Sequence, residues 1–160
     1  MSQLVYKARF ERDGVYQFDA VMFHGTVGVF TGFKDGAFSV SSNSRLLYAE
    51  SDWTADQLAF RRFIAMFNAQ YAKYIAGVLE NLGNLLIGRR SHTWLMRETL
   101  EQCSDYECAK KQLSMTHICS LVYYIVAGVN PNEGVSITRG RTGPEYFEFL
   151  DADNGQWYIA

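Results

Sequence analysis

The stretch Phe23–Arg45, FHGTVGVFTGFKDGAFSVSSNSR, predicts a β-hairpin around which the rest of the chain is arranged. It contains two strand patterns, Thr26–Thr31 and Ala37–Ser42, joined by a turn at Lys34–Gly36. An Asp-Gly pair between alternating runs is a strong hairpin signal, because glycine accepts the positive φ that the turn requires. Glycines inside a strand usually mark a bulge or a close backbone approach. The hairpin is therefore either the floor of a ligand cleft or an ordinary sheet hairpin with packing glycines.

The composition suits a single domain that spans residues 1–160. The sequence is 48% hydrophobic and 15% aromatic, with a formal net charge of -2. That apolar content is sufficient for one sizeable core, and the lack of a basic stripe argues against a nucleic-acid partner. The apolar runs are too short and too interrupted to span a bilayer. No charged segment followed by an apolar one opens the chain, so the sequence as given carries no targeting signal.

The chain has three cysteines, which cannot all pair with one another. Cys103 and Cys108 are five residues apart, a spacing that would place them on different faces of one helix. Their spacing gives no support for a metal site either. We therefore expect Cys103, Cys108 and Cys119 to be helix and core residues and not a disulfide scaffold.

Helical periodicity occupies the middle of the chain, at about residues 52–115. Apolar residues recur every three or four positions between Thr54 and Gly88, which predicts a long amphipathic helix. Its apolar stripe is expected in the core, with a partner surface as the alternative. Two shorter helices are predicted after it: Thr93–Gln102, and Ser104 to about Met115, the second opened by a capping box.

Strands are predicted before and after these helices. Leu4–Phe10 and Val15–Val21 alternate around an Asp-Gly turn and predict a hairpin that leads into the one described above. Cys119–Val126, CSLVYYIV, is a continuous β-prone apolar run typical of a central strand buried on both faces. The last predicted strands are Val135–Arg139, Tyr146–Leu150 and Gln156–Ile159. This order predicts the α+β class, with antiparallel sheets packed against helices.

Common catalytic motifs are absent from the chain. It contains no phosphate-binding loop, dinucleotide-binding fingerprint or nucleophile elbow. His24, His92 and His117 are scattered without a carboxylate next to them in sequence, so structural roles are expected for them. Asp151 and Asp153 can bind a cation or cap a turn equally well. These residues alone assemble no catalytic group, and no metal or cofactor site is expected.

Six motifs occur in order along most of the chain: FxGxVGxxTGFKxGxFS (Phe23–Ser39), WLxRxTLE (Trp94–Glu101), YExAKxxL (Tyr106–Leu113), VYYIVxG (Val122–Gly128), EGVxITRxRxGP (Glu133–Pro144) and LDxxNGxWY (Leu150–Tyr158). Together they resemble the acid ceramidase and N-acylethanolamine-hydrolysing acid amidase family of N-terminal-nucleophile hydrolases. The resemblance implies that the chain forms part of an αββα fold, two antiparallel sheets between helices. It also implies hydrolysis of a lipid amide, ceramide or an N-acylethanolamine, to a fatty acid and an amine in the lysosome.

The resemblance also predicts that this chain contains none of the catalytic residues. Family members use a cysteine that begins a self-cleaved chain, and its own α-amine takes the thiol proton. They also use an asparagine in a Thr-Asn-Tyr-Asp segment, and the sequence starts after the first group and stops before the second. The family's glutamate corresponds to Ser44, between Asn43 and Arg45. Ser2 is not expected to replace the cysteine, because the strand after it matches a later family strand.

Substrate contacts are expected from Phe30, Thr31, Gly32 and Phe33 in the glycine-rich hairpin. Two functions remain open. The chain is either part of a lipid-amide hydrolase, inactive alone and in need of a complementary chain segment, or a non-catalytic lipid- or partner-binding module derived from the same family. An α+β domain without a ligand is a third interpretation, but it leaves the six motifs unexplained.

Overall fold

The computed structural model of the chain describes residues 4–45, 59, 63 and 72–155. In this part of the chain seven strands form one antiparallel sheet, in which each strand pairs with the next in sequence. The strands are β1 (Val5–Arg12), β2 (Val15–Phe23), β3 (Thr31–Lys34), β4 (Phe38–Ser44), β5 (Val122–Gly128), β6 (Gly134–Arg139) and β7 (Pro144–Phe149). The helices of the described ranges are α1 (Ala72–Leu86), α2 (His92–Gln102) and α3 (Tyr106–Met115).

The predicted α+β class is confirmed, with α2 and α3 packed on one face of the antiparallel sheet. Apart from residues 59 and 63, the predicted long helix before residue 72 lies outside the described residues. The predicted strand Gln156–Ile159 lies outside them as well.

Both predicted Asp-Gly turns are present. Asp13 and Gly14 have φ of 52° and 75° between β1 and β2, and Gly36 has φ of 66° between β3 and β4. The left-handed region is open to glycine at little cost, which is why these turns close where they do. The register that follows places Ala8 opposite Ala20 and Gly32 opposite Val40.

The predicted strand Thr26–Thr31 is wrong, because β3 begins only at Thr31. The preceding residues leave the sheet and pack on the start of α2, where the Val29 amide donates to the Thr93 carbonyl at 3.0 Å. A Cβ added to Gly28 would lie 2.2 Å from the Thr93 hydroxyl oxygen. Gly28 therefore permits a close approach of two backbones, one of the two roles expected of glycines in this stretch.

Alternate residues of the strands form one core with α2 and α3. The buried side chains at its centre include Phe18, Val40, Val122, Tyr124 and Ile137 from the sheet and Leu95, Leu100 and Leu113 from the helices. Burying each large apolar side chain contributes roughly 1.5–3 kcal/mol to folding. The prediction that β5 is buried on both faces is wrong for the described residues, since Tyr123 and Ile125 are each 37% exposed on the face opposite the helices.

The junction of α2 and α3 corrects two predictions. Asp105, and not Ser104, caps α3, accepting the Cys108 amide at 2.9 Å. Cys103 and Cys108 form a disulfide, because the chain breaks between the helices at this point and the spacing of one continuous helix does not apply. Cys119 is the free cysteine, and it is buried as expected.

Long cationic side chains from the sheet cap the C-terminal ends of both short helices. The Lys34 ammonium donates to the carbonyl oxygens of Cys103 at 2.8 Å and Glu101 at 3.4 Å, at the end of α2. The fully buried Arg139 guanidinium donates to the carbonyl oxygens of Ser114 and Thr116, at the end of α3. A cation is favourable at a helix C-terminus, where the last carbonyls lack partners within the helix.

Candidate functional site

The face of the sheet opposite the helices carries an apolar groove of about 470 Å³. Because side chains alternate along a strand, this face takes the residues that lie between the core positions of β2 to β5. The groove is lined mainly by Val21, Thr31, Phe33, Ser41, Ile125 and Ala127. Its size falls within the range of small-molecule sites, and its walls are mostly apolar, as is usual for such sites.

A charged cluster adjoins the groove through Lys7, which lines it. The Asp19 carboxylate, on a side chain only 4% exposed, lies 3.3 Å from both the Lys7 ammonium and the Arg9 guanidinium. Burial tends to raise the pKa of Asp19, but the hydrogen bonds and charges of Arg9 and Lys7 outweigh it and hold the pKa below its usual value. The Lys7 ammonium also lies 5.6 Å from the centre of the Phe33 ring. A ligand with an apolar tail and a polar head can therefore meet both kinds of surface here.

The structure separates the four predicted substrate residues. Thr31 and Phe33 line the groove, and Gly32 contributes backbone there. A Cβ on Gly32 would point to the core side, 2.6 Å from Leu100. Phe30 lies away from the groove and packs edge-on against the rings of Phe23 and His92. The part that these residues play in binding stays a prediction.

Asn43, Ser44 and Arg45 lie at one end of β4. Asn43 pairs with Tyr123 across the sheet, and Ser44 is exposed. The Arg45 guanidinium forms an ion pair with Glu145, at the start of β7, and lies 5.9 Å from the centre of the Tyr123 ring. Ser44 offers a hydroxyl where the family resemblance calls for a carboxylate.

The histidines occupy three separate places. His92 Nδ1 lies 2.9 Å from the Ser120 hydroxyl, and burial lowers the pKa of His92. The His24 ring packs edge-on at 6.1 Å from the Tyr6 ring. His117 lines a polar cleft beside the Arg90–Glu98 ion pair. Within the described ranges no group of three or more His, Cys, Asp or Glu side chains is placed to hold a metal ion.

Helix α1 presents an apolar surface to solvent. Six of its side chains are between 44% and 79% exposed, namely Ile75, Val78, Leu79, Leu82, Leu85 and Leu86. This surface contradicts the expectation that the described part of the stripe lies in the core. No helix in the described part of the chain is long and apolar enough to cross a bilayer. We call these six side chains the α1 stripe.

Comparisons with known proteins match nearly the whole chain. N-acylethanolamine-hydrolyzing acid amidase from Rattus norvegicus is 30% identical over 158 residues, which are 99% of this chain and 36% of the relative. Acid ceramidase from Homo sapiens is 32% identical over 162 residues, 99% of this chain and 34% of the relative. The solved structure of a Caenorhabditis elegans N-acylethanolamine-hydrolyzing acid amidase (NAAA) ortholog superposes with a TM-score of 0.67 and 27% identity. It covers 98% of this chain and 56% of that one.

The chain is a homologue of these acid amidases and ceramidases. It spans about a third of the length of the curated relatives it matches, 36% and 34% in the two cases above. No protein-family model matches it. The fold of the chain matches that of the solved amidase structure over 98% of this chain.

Several groove residues were not expected from the sequence. Val21, Ile125 and Asp19 lie on the groove face because they occupy alternate positions to the core residues of β2 and β5. The alternation in VYQFDAVMF is a usable signal, since Asp19 and Val21 fall between Phe18, Ala20 and Met22. The choice of which face of a strand meets the helices still requires knowledge of the helix packing.

Proposed function

We propose that this chain supplies the sheet and helices of a hydrolase for lipid amides, such as ceramide or an N-acylethanolamine. In this proposal the 160 residues form an incomplete domain of the enzyme. The single observation that supports it most is the match to named amidases and ceramidases over 99% of the chain. The apolar groove on the sheet supports the same substrate class, because an acyl chain needs an apolar wall of about this size.

The cysteines support a nucleophile that comes from outside these residues. All three lie in the described part of the chain, two in the disulfide and the third buried. A thiolate that attacks an amide carbonyl must reach the substrate, form a bond to the carbonyl carbon and expel the amine. Neither the disulfide sulfurs nor the Cys119 thiol meets this requirement in the present fold. We infer that the chain by itself does not turn over substrate.

The groove face supports a complementary chain segment as partner. Phe33, Tyr123 and Ile125 are each more than a third exposed, and adjacent apolar side chains of this kind usually mark an interaction surface. The family resemblance implies a second sheet in this position. A second layer would enclose the groove between two sheets, with Thr31 and Phe33 lining the enclosed space for the acyl chain.

The disulfide supports an oxidising compartment. Disulfides persist in secreted proteins and in the compartments of the secretory route, and they are rare in the cytosol. Cys103 is fully buried beside its partner helix, where a stable cross-link is well protected. We propose a lysosomal location on this ground together with the acid amidase and acid ceramidase names of the homologues.

A hydrolysis assay tests the proposed enzyme. We expect the purified 160-residue chain to release no fatty acid from a fluorogenic N-acyl amide. A longer protein that contains this chain and its complementary segment should release it, and Cys119→Ala should leave that rate unchanged. Fatty-acid release by the 160-residue chain, lost on Cys119→Ala, would contradict the assignment of the nucleophile.

A second candidate function, docking on a lipid surface, is favoured by the α1 stripe. A helix with a strongly apolar face and nearby basic residues binds in the headgroup region of a bilayer. Ile87 extends the stripe and is 71% exposed, and Arg89 and Arg90 follow after Gly88, at the end suited to anionic headgroups. This function is compatible with the first, because a lipid-amide hydrolase meets its substrate at a membrane surface.

Vesicle co-sedimentation tests the docking function. We expect the chain to sediment with vesicles of phosphatidylcholine and phosphatidylglycerol. The double variant Leu82→Ser with Leu86→Ser should bind at least about a hundredfold more weakly, because each leucine that enters the lipid contributes roughly 1.5–3 kcal/mol. Leu4→Ser is the matched control, since Leu4 is 60% exposed and lies outside the stripe. Equal binding by the double variant and the control would reject lipid docking through α1.

A further inference from the structure

Helix α1 is inverted relative to an ordinary surface helix. Its described inward positions are glycine or polar, since Gly77, Glu80, Asn81 and Asn84 are half-buried, while the α1 stripe faces outward. An amphipathic helix in water normally turns its apolar stripe toward the core. Among the described side chains of α1, burial of apolar surface therefore does not account for its rotation, and a polar interaction can do so.

Arg141 provides that interaction. Its Nη2 atom lies 3.1 Å from Glu80 Oε2 and 3.3 Å from Asn81 Oδ1. The side chains of Arg141 and Glu80 are only 14% and 16% exposed, so the pair is largely shielded from water. Arg141 also holds the segment before β5, because its Nε donates to the Cys119 carbonyl at 3.1 Å and its own carbonyl accepts the Ile118 amide at 2.9 Å.

We propose that Arg141 is a positioning residue that keeps the polar face of α1 on the protein and so holds the α1 stripe outward for a lipid surface. The proposal rests on the lipid-docking function proposed above. Rotating α1 about its axis to bury the stripe would separate Glu80 from Arg141. The shielded guanidinium of Arg141 would then lack this carboxylate, which is strongly unfavourable. The ion pair thus opposes the hydrophobic preference of the free helix, and contact with lipid removes that conflict.

Arg139, the other arginine of the ITRxR motif, has a different role, so the contact with α1 is specific to Arg141. Arg139 lies two residues earlier on β6, and its guanidinium caps the end of α3 through Ser114 and Thr116. The two arginines of the ITRxR motif therefore secure two different helices. A change at Arg141 is expected to act on α1 and to leave the cap of α3 in place.

Cysteine labelling measures the rotation of α1 without lipid. We would place one reporter on the stripe, Leu82→Cys, and one on the inward face, Asn84→Cys, since Asn84 is half-buried. The natural cysteines are either bonded or buried, which keeps background labelling low. We expect the stripe reporter to react with a maleimide about tenfold faster than the inward one, as exposure controls thiol reactivity. Arg141→Met should bring this ratio close to one.

Two further variants keep the result decisive. Lys34→Met removes a comparable cationic contact from α2, and it should leave the labelling ratio as in the native chain. If Arg141→Met does not fold, the exchange Glu80→Arg with Arg141→Glu replaces it, and a native ratio in that variant supports the proposal. An unchanged ratio in folded Arg141→Met, a ratio near one in the folded exchange variant, or an equal change in Lys34→Met would overturn it.

Vesicle binding then separates this proposal from the function on which it rests. We expect Arg141→Met to bind the vesicles described above about tenfold more weakly, with Lys34→Met unaffected, because only the first removes the anchor of α1. If the native chain does not bind vesicles but Arg141→Met still changes the labelling ratio, the docking function is wrong. Arg141 then holds α1 in place without a role in lipid binding. If the native chain binds and Arg141→Met binds equally well, the positioning role is wrong and docking stands.

Discussion

The Lys34 ammonium lies 2.8 Å from the carbonyl oxygen of Cys103. Lys34 ends β3 and Cys103 follows the last residue of α2, so this contact joins the hairpin to the helical layer across 69 residues of sequence. The same cysteine carries the disulfide to α3. One position therefore connects the sheet and two helices.

Replacing Lys34 with methionine should destabilise the fold by about 1–2 kcal/mol, because it removes a charged donor from carbonyl oxygens at a helix end. Urea unfolding followed by circular dichroism measures the change. Lys111→Met is the control, since Lys111 is exposed on α3 and surface changes usually cost less than about 0.5 kcal/mol. Equal midpoints for the two variants would show that the Lys34 contact contributes nothing.

The disulfide should stabilise the fold by about 2 kcal/mol, the amount expected for a short closed loop. Reduction, or the double change Cys103→Ser with Cys108→Ser, should lower the unfolding temperature accordingly. Thiol titration in denaturant gives a direct check, with one free thiol before reduction, from Cys119, and three after it. Three free thiols in the unreduced protein would contradict the pairing.

Two glycine-to-alanine changes should shift stability in opposite directions. Gly28→Ala places a methyl group 2.2 Å from the Thr93 hydroxyl oxygen and 3.0 Å from its backbone carbon, and such overpacking costs about 1–3 kcal/mol. Gly77→Ala meets nothing within 4 Å inside α1 and should stabilise by roughly 0.5–1 kcal/mol. The denaturant midpoints of both variants, compared with that of the native chain, measure these two changes in stability. A neutral Gly28→Ala would mean that the loop before β3 does not pack on α2 as described.

His92 should make the fold less stable as the pH falls. Burial lowers the pKa of His92 from 6.5, so below pH 6.5 the unfolded chain takes up a proton that the folded chain resists. The stability due to neutral His92 is present above the unfolded pKa and is lost as the pH falls toward the folded one, with a slope of at most about 1.4 kcal/mol per pH unit. We expect His92→Gln to flatten the dependence of the unfolding free energy between pH 7 and the folded pKa. A parallel curve for the variant would show that His92 keeps its ordinary pKa.

The elements that depend on local signals could be read from the sequence. The β1–β2 hairpin follows from its Asp13–Gly14 turn, and α3 follows from its periodicity and the inward positions Tyr106, Ala109 and Leu113, all of which are buried. The six motifs were sufficient to predict the resemblance to acid amidases and ceramidases, and the order of strands and helices predicted the α+β class. These features need no information about which residues meet from distant parts of the chain.

The features that were missed depend on such distant contacts. β3 starts late because Gly28 meets Thr93, 65 positions further along, and no local pattern encodes that meeting. The continuous apolar run of β5 looks doubly buried, yet only its helix-facing side chains are covered in the described residues. Glu80 of α1 forms an ion pair with Arg141, in the distant loop between β6 and β7, so the periodicity of α1 revealed the stripe but not the side that it faces.

Photolabelling tests the central claim, that the groove face receives the acyl chain of a lipid amide, most directly. A photoreactive N-acylethanolamine with a diazirine in its acyl chain, irradiated with the protein and followed by peptide mass spectrometry, should label β2, β3 and β5 near Val21, Phe33 and Ile125. Labelling there should fall in Ile125→Glu and compete with unlabelled lipid amide. Labels confined to the α1 stripe or to the polar cleft, and unchanged in Ile125→Glu, would contradict the account.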